Sequence, residues 1–110
     1  MKLTKEHAIQ EHRKMWNWIA DQYENGCNER VGYLKFKYLK LNGFNNILDN
    51  CFCCEYDKQH RGLCRSCPLI WNSGVCFENG SEYDCIRSIW DNKERAIISR
   101  QIANLPERKC

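Results

Sequence analysis

A small, mainly α-helical domain, two to three helices around a cysteine-rich loop module, is predicted by three observations. Apolar residues recur at three- and four-residue steps near both ends of the chain, six of the nine cysteines fall between residues 51 and 76, and Gly62, Pro68, Gly74 and Gly80 punctuate that same stretch. The chain is 110 residues long and 43% apolar, with four Trp, five Tyr and four Phe. That suffices for one core and is too rich in core formers for a disordered chain. With no repeat, low-complexity tract or Gly/Ser linker, residues 1–110 are expected to form a single domain.

The first element is a helix over residues 4–25. Ala8, Ile9, His12, Met15, Trp16, Ile19, Ala20 and Tyr23 form an amphipathic stripe. Thr4 suits the N-cap, Glu6 complements the helix dipole, and Asn25-Gly26 supplies a left-handed stop. Within Val31 to Leu41 two periods compete. Leu34, Phe36 and Tyr38 alternate as in a strand, whereas Val31, Leu34, Tyr38 and Leu41 fit one helix face. Asn42-Gly43 after a Lys-rich turn favours a short helix.

Residues 50–80 form the cysteine-rich module, which holds too few aliphatic residues to offset an ordering cost of ~1–2 kcal/mol per residue of backbone, so it needs a cross-link. Residues 81–105 then read as a C-terminal helix. Ser81-Glu82-Tyr83-Asp84 resembles a capping box, and Tyr83, Ile86, Ile89, Trp90, Ile97 and Ile102 keep helical spacing. Asp91-Asn92 is the point at which this helix can divide, and Pro106 is expected to end it near Leu105.

No uninterrupted apolar stretch of signal-peptide length follows Met1, and no window approaches the ~18 apolar residues of a membrane helix. A reducing intracellular setting is therefore expected, where structural disulfides are disfavoured, and an odd number of cysteines weakens a disulfide framework further. Metal binding is the better account. Cys51 to Cys54 and Cys64 to Cys67 are two C-x-x-C pairs, and a turn of that length points two thiolates at one ion. Two such turns complete the tetrahedron that zinc prefers, with sulfur at ~2.3 Å. The short spacer between the pairs suggests a compact zinc knuckle.

Cys51, Cys54, Cys64 and Cys67 are thus the expected ligands of a structural Zn²⁺, with Cys76 the alternative to Cys64 or Cys67. Cys53 and His60 are weaker competitors. Cys67-Pro68 evokes an iron–sulfur ligand, but the C-x-x-C-x-x-C run that accompanies it is absent. A thioredoxin-like role for Cys51 to Cys54 lacks the strand before and the helix after.

A zinc with four thiolates has no open coordination position and performs no hydrolysis. The chain also lacks H-E-x-x-H, G-x-S-x-G, a phosphate-binding Gly-rich loop and the deaminase H-x-E. A non-enzymatic protein is expected, and a small-molecule or nucleotide pocket has no motif behind it.

Two surface clues remain. Between Arg30 and Arg65 lie Arg30, Lys35, Lys37, Lys40, Lys58, Arg61 and Arg65 against Asp49, Glu55 and Asp57, interleaved with Tyr33, Phe36 and Tyr38, a composition able to bind nucleic acid. The chain's formal charge is only +3, and a zinc with four thiolates lowers it to about +1, which argues against strong phosphate binding. Trp16, Trp18, Trp71 and Trp90 exceed what one small core needs. Trp16 follows the helix stripe, whereas Trp18 falls off it and serves either as a lid or as an interface anchor.

Met15-Trp16-Asn17-Trp18-Ile19-Ala20, Cys51-Phe52-Cys53-Cys54-Glu55-Tyr56, Cys64-Arg65-Ser66-Cys67-Pro68-Leu69-Ile70-Trp71 and Ile102-Ala103-Asn104-Leu105-Pro106-Glu107-Arg108 together resemble a family of small bacteriophage proteins of uncharacterised function. The resemblance implies metal at Cys51, Cys54, Cys64 and Cys67 and supplies no catalytic residue. By association it implies a phage accessory protein acting in the host cytoplasm on a host protein, including a defence-system component. A nucleic-acid-binding zinc protein is the alternative.

Overall fold

The computed structural model describes residues 4–44, 52, 56, 69, 85–87, 89 and 91–107. Among these the chain is mainly helical, as the periodicity predicts. The expected ligands Cys51, Cys54, Cys64, Cys67 and Cys76, together with Cys53 and His60, lie outside the described residues, as do the capping-box segment 81–84, Trp71 and Trp90.

Helix α1 spans Lys5–Glu24. Thr4 caps it, its Oγ1 accepting from the His7 amide at 3.1 Å, with Glu6 in the first turn. At the other end the Cys27 amide reaches the Gln22 carbonyl at 2.9 Å and the Gly26 amide reaches Tyr23 at 3.1 Å, the paired bonds of a Schellman motif. Gly26 adopts the required left-handed conformation, φ 90°.

Helix α2 spans Val31–Leu41, which decides the competition of periods in favour of helix. It stops in the same way: Phe44 donates to Leu39 at 2.9 Å, Gly43 to Lys40 at 3.4 Å, and Gly43 has φ 76°. Its inner face carries Val31, Leu34, Lys35, Tyr38 and Leu39. Leu41, expected on that face, is instead 66% exposed. It lies at the edge of the inner arc in the last turn, and Lys35 and Leu39 fill the arc in its place.

Residues 85–87 are helical, and helix α3 then spans Asn92–Ala103. The C-terminal segment divides at Asp91, whose carboxylate accepts from the Glu94 amide at 3.2 Å and caps a new helix. The division falls at the Asp91-Asn92 step, the point at which the sequence allows it. The end of α3 is earlier than Leu105: Asn104 is the C-cap, with its side-chain amide donating to the Arg100 carbonyl at 2.8 Å.

α1 packs mainly on α3 and less extensively on α2. Met15, Trp16, Ile19 and Tyr23 of α1, Leu34, Tyr38 and Leu39 of α2, and Ala96, Ile102 and Ala103 of α3 share one core with Phe52, Leu69, Ile86 and Leu105. Leu69 also forms an isolated antiparallel bridge with Glu107. The described apolar members of the cysteine-rich segment are therefore seated on the helices: Phe52 and Leu69 are fully buried, and Tyr56 packs at the core's margin. No described helix is long and apolar enough to cross a membrane.

Candidate functional site

Two faces of α2 determine what this side of the protein can do. On the inner face Tyr38 stacks at a tilt on Trp18, centroids 5.7 Å apart, and meets Phe52 edge-on at 6.4 Å. Phe44, just beyond the helix stop, meets Phe52 edge-on at 4.9 Å. Phe52 is thus clasped between α2 and its Schellman turn. Trp18 is a partly buried lid over Tyr38, the first of the two roles its off-stripe position allowed.

The outer face runs Tyr33, Phe36, Lys37, Lys40 and Leu41, again at three- and four-residue steps. Tyr33 is 50% and Phe36 49% exposed. The Lys40 ammonium lies 5.5 Å from the Phe36 ring centroid, so a cation sits against the aromatic at the centre of the stripe. α2 contains no acidic residue.

Lys35 departs from the basic, solvent-facing role expected of it. It is 7% exposed on the inner face, with its ammonium 5.9 Å from the Trp16 ring centroid. Its long apolar stem covers the ring, the usual way a lysine is accommodated against aromatic surface. Of the three lysines in α2, Lys37 and Lys40 remain for an outside partner.

Polar contacts elsewhere hold the helices rather than form a reactive centre. His12, a member of the amphipathic stripe, is fully buried, its Nε2 2.9 Å from the Ile102 carbonyl oxygen. A carbonyl only accepts, so Nε2 carries the proton. Burial, with Lys35 and Arg13 nearby, outweighs that hydrogen bond and lowers the His12 pKa to about 4. Glu11 accepts from Tyr38 Oη at 3.5 Å and pairs with Lys14 at 3.4 Å. Burial first, and then Glu11, push the Tyr38 phenol up to about 12. Arg100 joins α3 to α1 through Asp21 at 2.6 Å, Glu24 at 2.9 Å and Asn17 at 3.0 Å.

Compared with protein-family models, curated proteins and solved structures, the chain matches none. The site is therefore read from its own chemistry. Among the described residues no group of three or more His, Cys, Asp or Glu side chains is arranged to hold a metal. Cys27 is partly buried beside the α1 stop and Cys85 is exposed in the 85–87 turn.

The sequence shows Tyr33 and Phe36 among basic residues, and the fold adds that they form one exposed stripe with Lys37 and Lys40. The signal was available in their spacing, which mirrors that of the inner set Val31, Leu34, Lys35 and Tyr38.

Proposed function

We propose that this chain is a zinc-stabilised helical protein-binding module that engages a host protein through the outer stripe of α2. What carries the reading is the exposed pair Tyr33 and Phe36 flanked by Lys37 and Lys40 on a helix without acidic residues. An aromatic centre with a cationic flank suits a partner that presents an apolar patch rimmed by Asp or Glu. The resemblance to phage accessory proteins supplies the setting, the cytoplasm of a bacterial host.

Zinc fits this reading through the donor set. Cys51, Cys54, Cys64 and Cys67 are four soft thiolates in two C-x-x-C pairs, with Cys76 in reserve, and the ion's part is structural. Phe52, next to Cys51 in the sequence, packs against Tyr38 and Phe44.

The test is affinity capture from bacterial lysate with the intact chain and with Phe36→Glu and Lys40→Glu variants, melting temperature being measured alongside. One stoichiometric protein, lost with either variant while the fold persists, is expected. A partner retained by both variants overturns the assignment of α2. Salt-sensitive recovery of nucleic acid without a stoichiometric protein overturns protein binding in favour of the nucleic-acid alternative.

A further inference from the structure

Among the described residues the large apolar side chains left exposed are Tyr33, Phe36, Leu41 and Ile97, and the first three share the outer face of α2. Apolar exposure is thus gathered on one face rather than scattered, the pattern of a surface that is covered in use. Leu41 is the most exposed of them, at 66%, and has no part in the chain's own core.

The charges on this face point to what covers it. Lys37 and Lys40 stand one turn apart and form no ion pair with any described residue. Like charges at that spacing repel. A second copy of the same face would bring more lysines into the contact, whereas carboxylates would neutralise both. Lys40 already lies 5.5 Å from the Phe36 ring centroid, so a carboxylate that meets its ammonium also stands at the edge of an apolar contact.

Geometry narrows the occupant further. From Tyr33 to Leu41 the stripe extends ~12 Å along the helix and repeats at the ~5.4 Å helical pitch. A strand, whose same-face residues repeat at about 6.8 Å, drifts out of step by about 3 Å over two turns. The interior amides and carbonyls of α2 are also bonded within the helix, so this face offers no edge for a strand to join. A second helix repeats at the same pitch, and its side-chain ridges fit the grooves of α2.

We propose that the outer stripe of α2 takes an acidic amphipathic helix of the partner. Tyr33, Phe36 and Leu41 lie against its apolar seam, and Lys37 and Lys40 meet carboxylates one turn apart beside that seam. This rests on the stripe being the protein-docking face, and adds the form and charge of what docks there.

The test is titration of the full chain, at low salt, with a synthetic peptide that carries leucines on one helical face bordered by glutamates. Its length is about 20 residues, above the ~12–15 below which isolated helices are marginal. The peptide is expected to bind and to weaken with added salt. Lys40→Glu should weaken it by about tenfold, since reversal exchanges an exposed attraction for a repulsion of similar size, and Phe36→Ser by a similar factor through lost apolar contact. Lys93→Glu, the same change on α3, should leave binding unaltered. A peptide with lysines in place of the glutamates should prefer the double variant Lys37→Glu, Lys40→Glu to the original chain. Melting temperatures of the variants separate lost binding from lost fold.

Absence of peptide binding, equal binding of a scrambled peptide without a helical apolar face, or equal weakening by Lys93→Glu overturns the proposal. So does a dimer of the chain that Phe36→Ser dissociates, or binding of anionic vesicles or an oligonucleotide where the peptide fails. A host protein captured through Phe36 and Lys40 while the peptide fails removes the acidic helix and leaves the docking face standing. Peptide binding with no host protein captured removes the host-protein reading and leaves the acidic helix.

Discussion

His12 Nε2 and the Ile102 carbonyl oxygen are 2.9 Å apart in the core, joining the middle of α1 to the last turn of α3 across 90 residues of sequence. The contact needs one ring proton at Nε2, and the buried site penalises a second.

A loss of stability in mild acid follows. His12 has its pKa lowered from 6.5 to about 4 by burial, with the backbone bond opposing and Lys35 and Arg13 assisting. The unfolded chain therefore takes up the proton first as pH falls. The contribution is complete above about pH 6.5, declines between there and about pH 4, and amounts to about 3 kcal/mol in full. Denaturant midpoints measured across this window should fall, and His12→Gln should flatten the slope while lowering stability at pH 7. A slope unchanged by that substitution removes His12 as its source.

Arg100 should contribute little for all its partners. Its own side chain is 37% exposed, and Asp21 and Glu24 are more exposed still. A cycle of Arg100→Met against Asp21→Asn and Glu24→Gln is expected to give a coupling of about 1 kcal/mol, shrinking in salt. A coupling that persists undiminished in concentrated salt contradicts this picture of solvent-screened pairs.

Gly26→Ala and Gly43→Ala should each destabilise by about 1 kcal/mol. Both glycines have positive φ, and an added Cβ meets nothing within 4 Å at either, so the cost is one of backbone conformation alone. Asn at either position should recover part of the loss, since it tolerates the left-handed region better than Ala. Thermal melts of the four variants check the ordering.

Purified protein is expected to contain about one zinc per chain and to be colourless, without iron–sulfur absorption. Cys51→Ser and Cys54→Ser should lose metal and fold together. Cys27→Ser, Cys85→Ser and Cys110→Ser should retain both, having no C-x-x-C partner. Between Cys64→Ser and Cys76→Ser, the variant that releases zinc names the fourth ligand. Retention of zinc by both rules out either as an indispensable ligand and returns Cys53 and His60 to consideration.

The helix boundaries that rest on local chemistry were legible in the sequence. Thr4 and the two Asn-Gly steps act through bonds within a few residues, and the folded chain uses each as expected. Features that depend on another element were not. Lys35 reads as a solvated cation because nothing local reveals that Trp16 lies across the interface to receive its stem. Leu41 reads as core because spacing alone does not say how wide the buried arc is. Asp91 offers both a continuing helix and a cap, and the folded chain uses the cap. The proposed zinc ligands rest on the spacing of Cys51, Cys54, Cys64 and Cys67 and on thiolate donor chemistry.

Phe52, flanked in the sequence by Cys51 and Cys53, is held by the helical core. A fully buried ring gripped by Tyr38 and Phe44 cannot shift without loosening the C-terminal half of α2, whose opposite side carries Phe36 and Lys40. An ion held by Cys51 and its neighbours would tighten that grip by mass action, contributing RT ln(1 + [ion]/Kd) to the order of the helix. Chelation would then weaken partner binding at a surface that contains no metal ligand, and the availability of zinc in the cell would set the fraction of molecules able to dock.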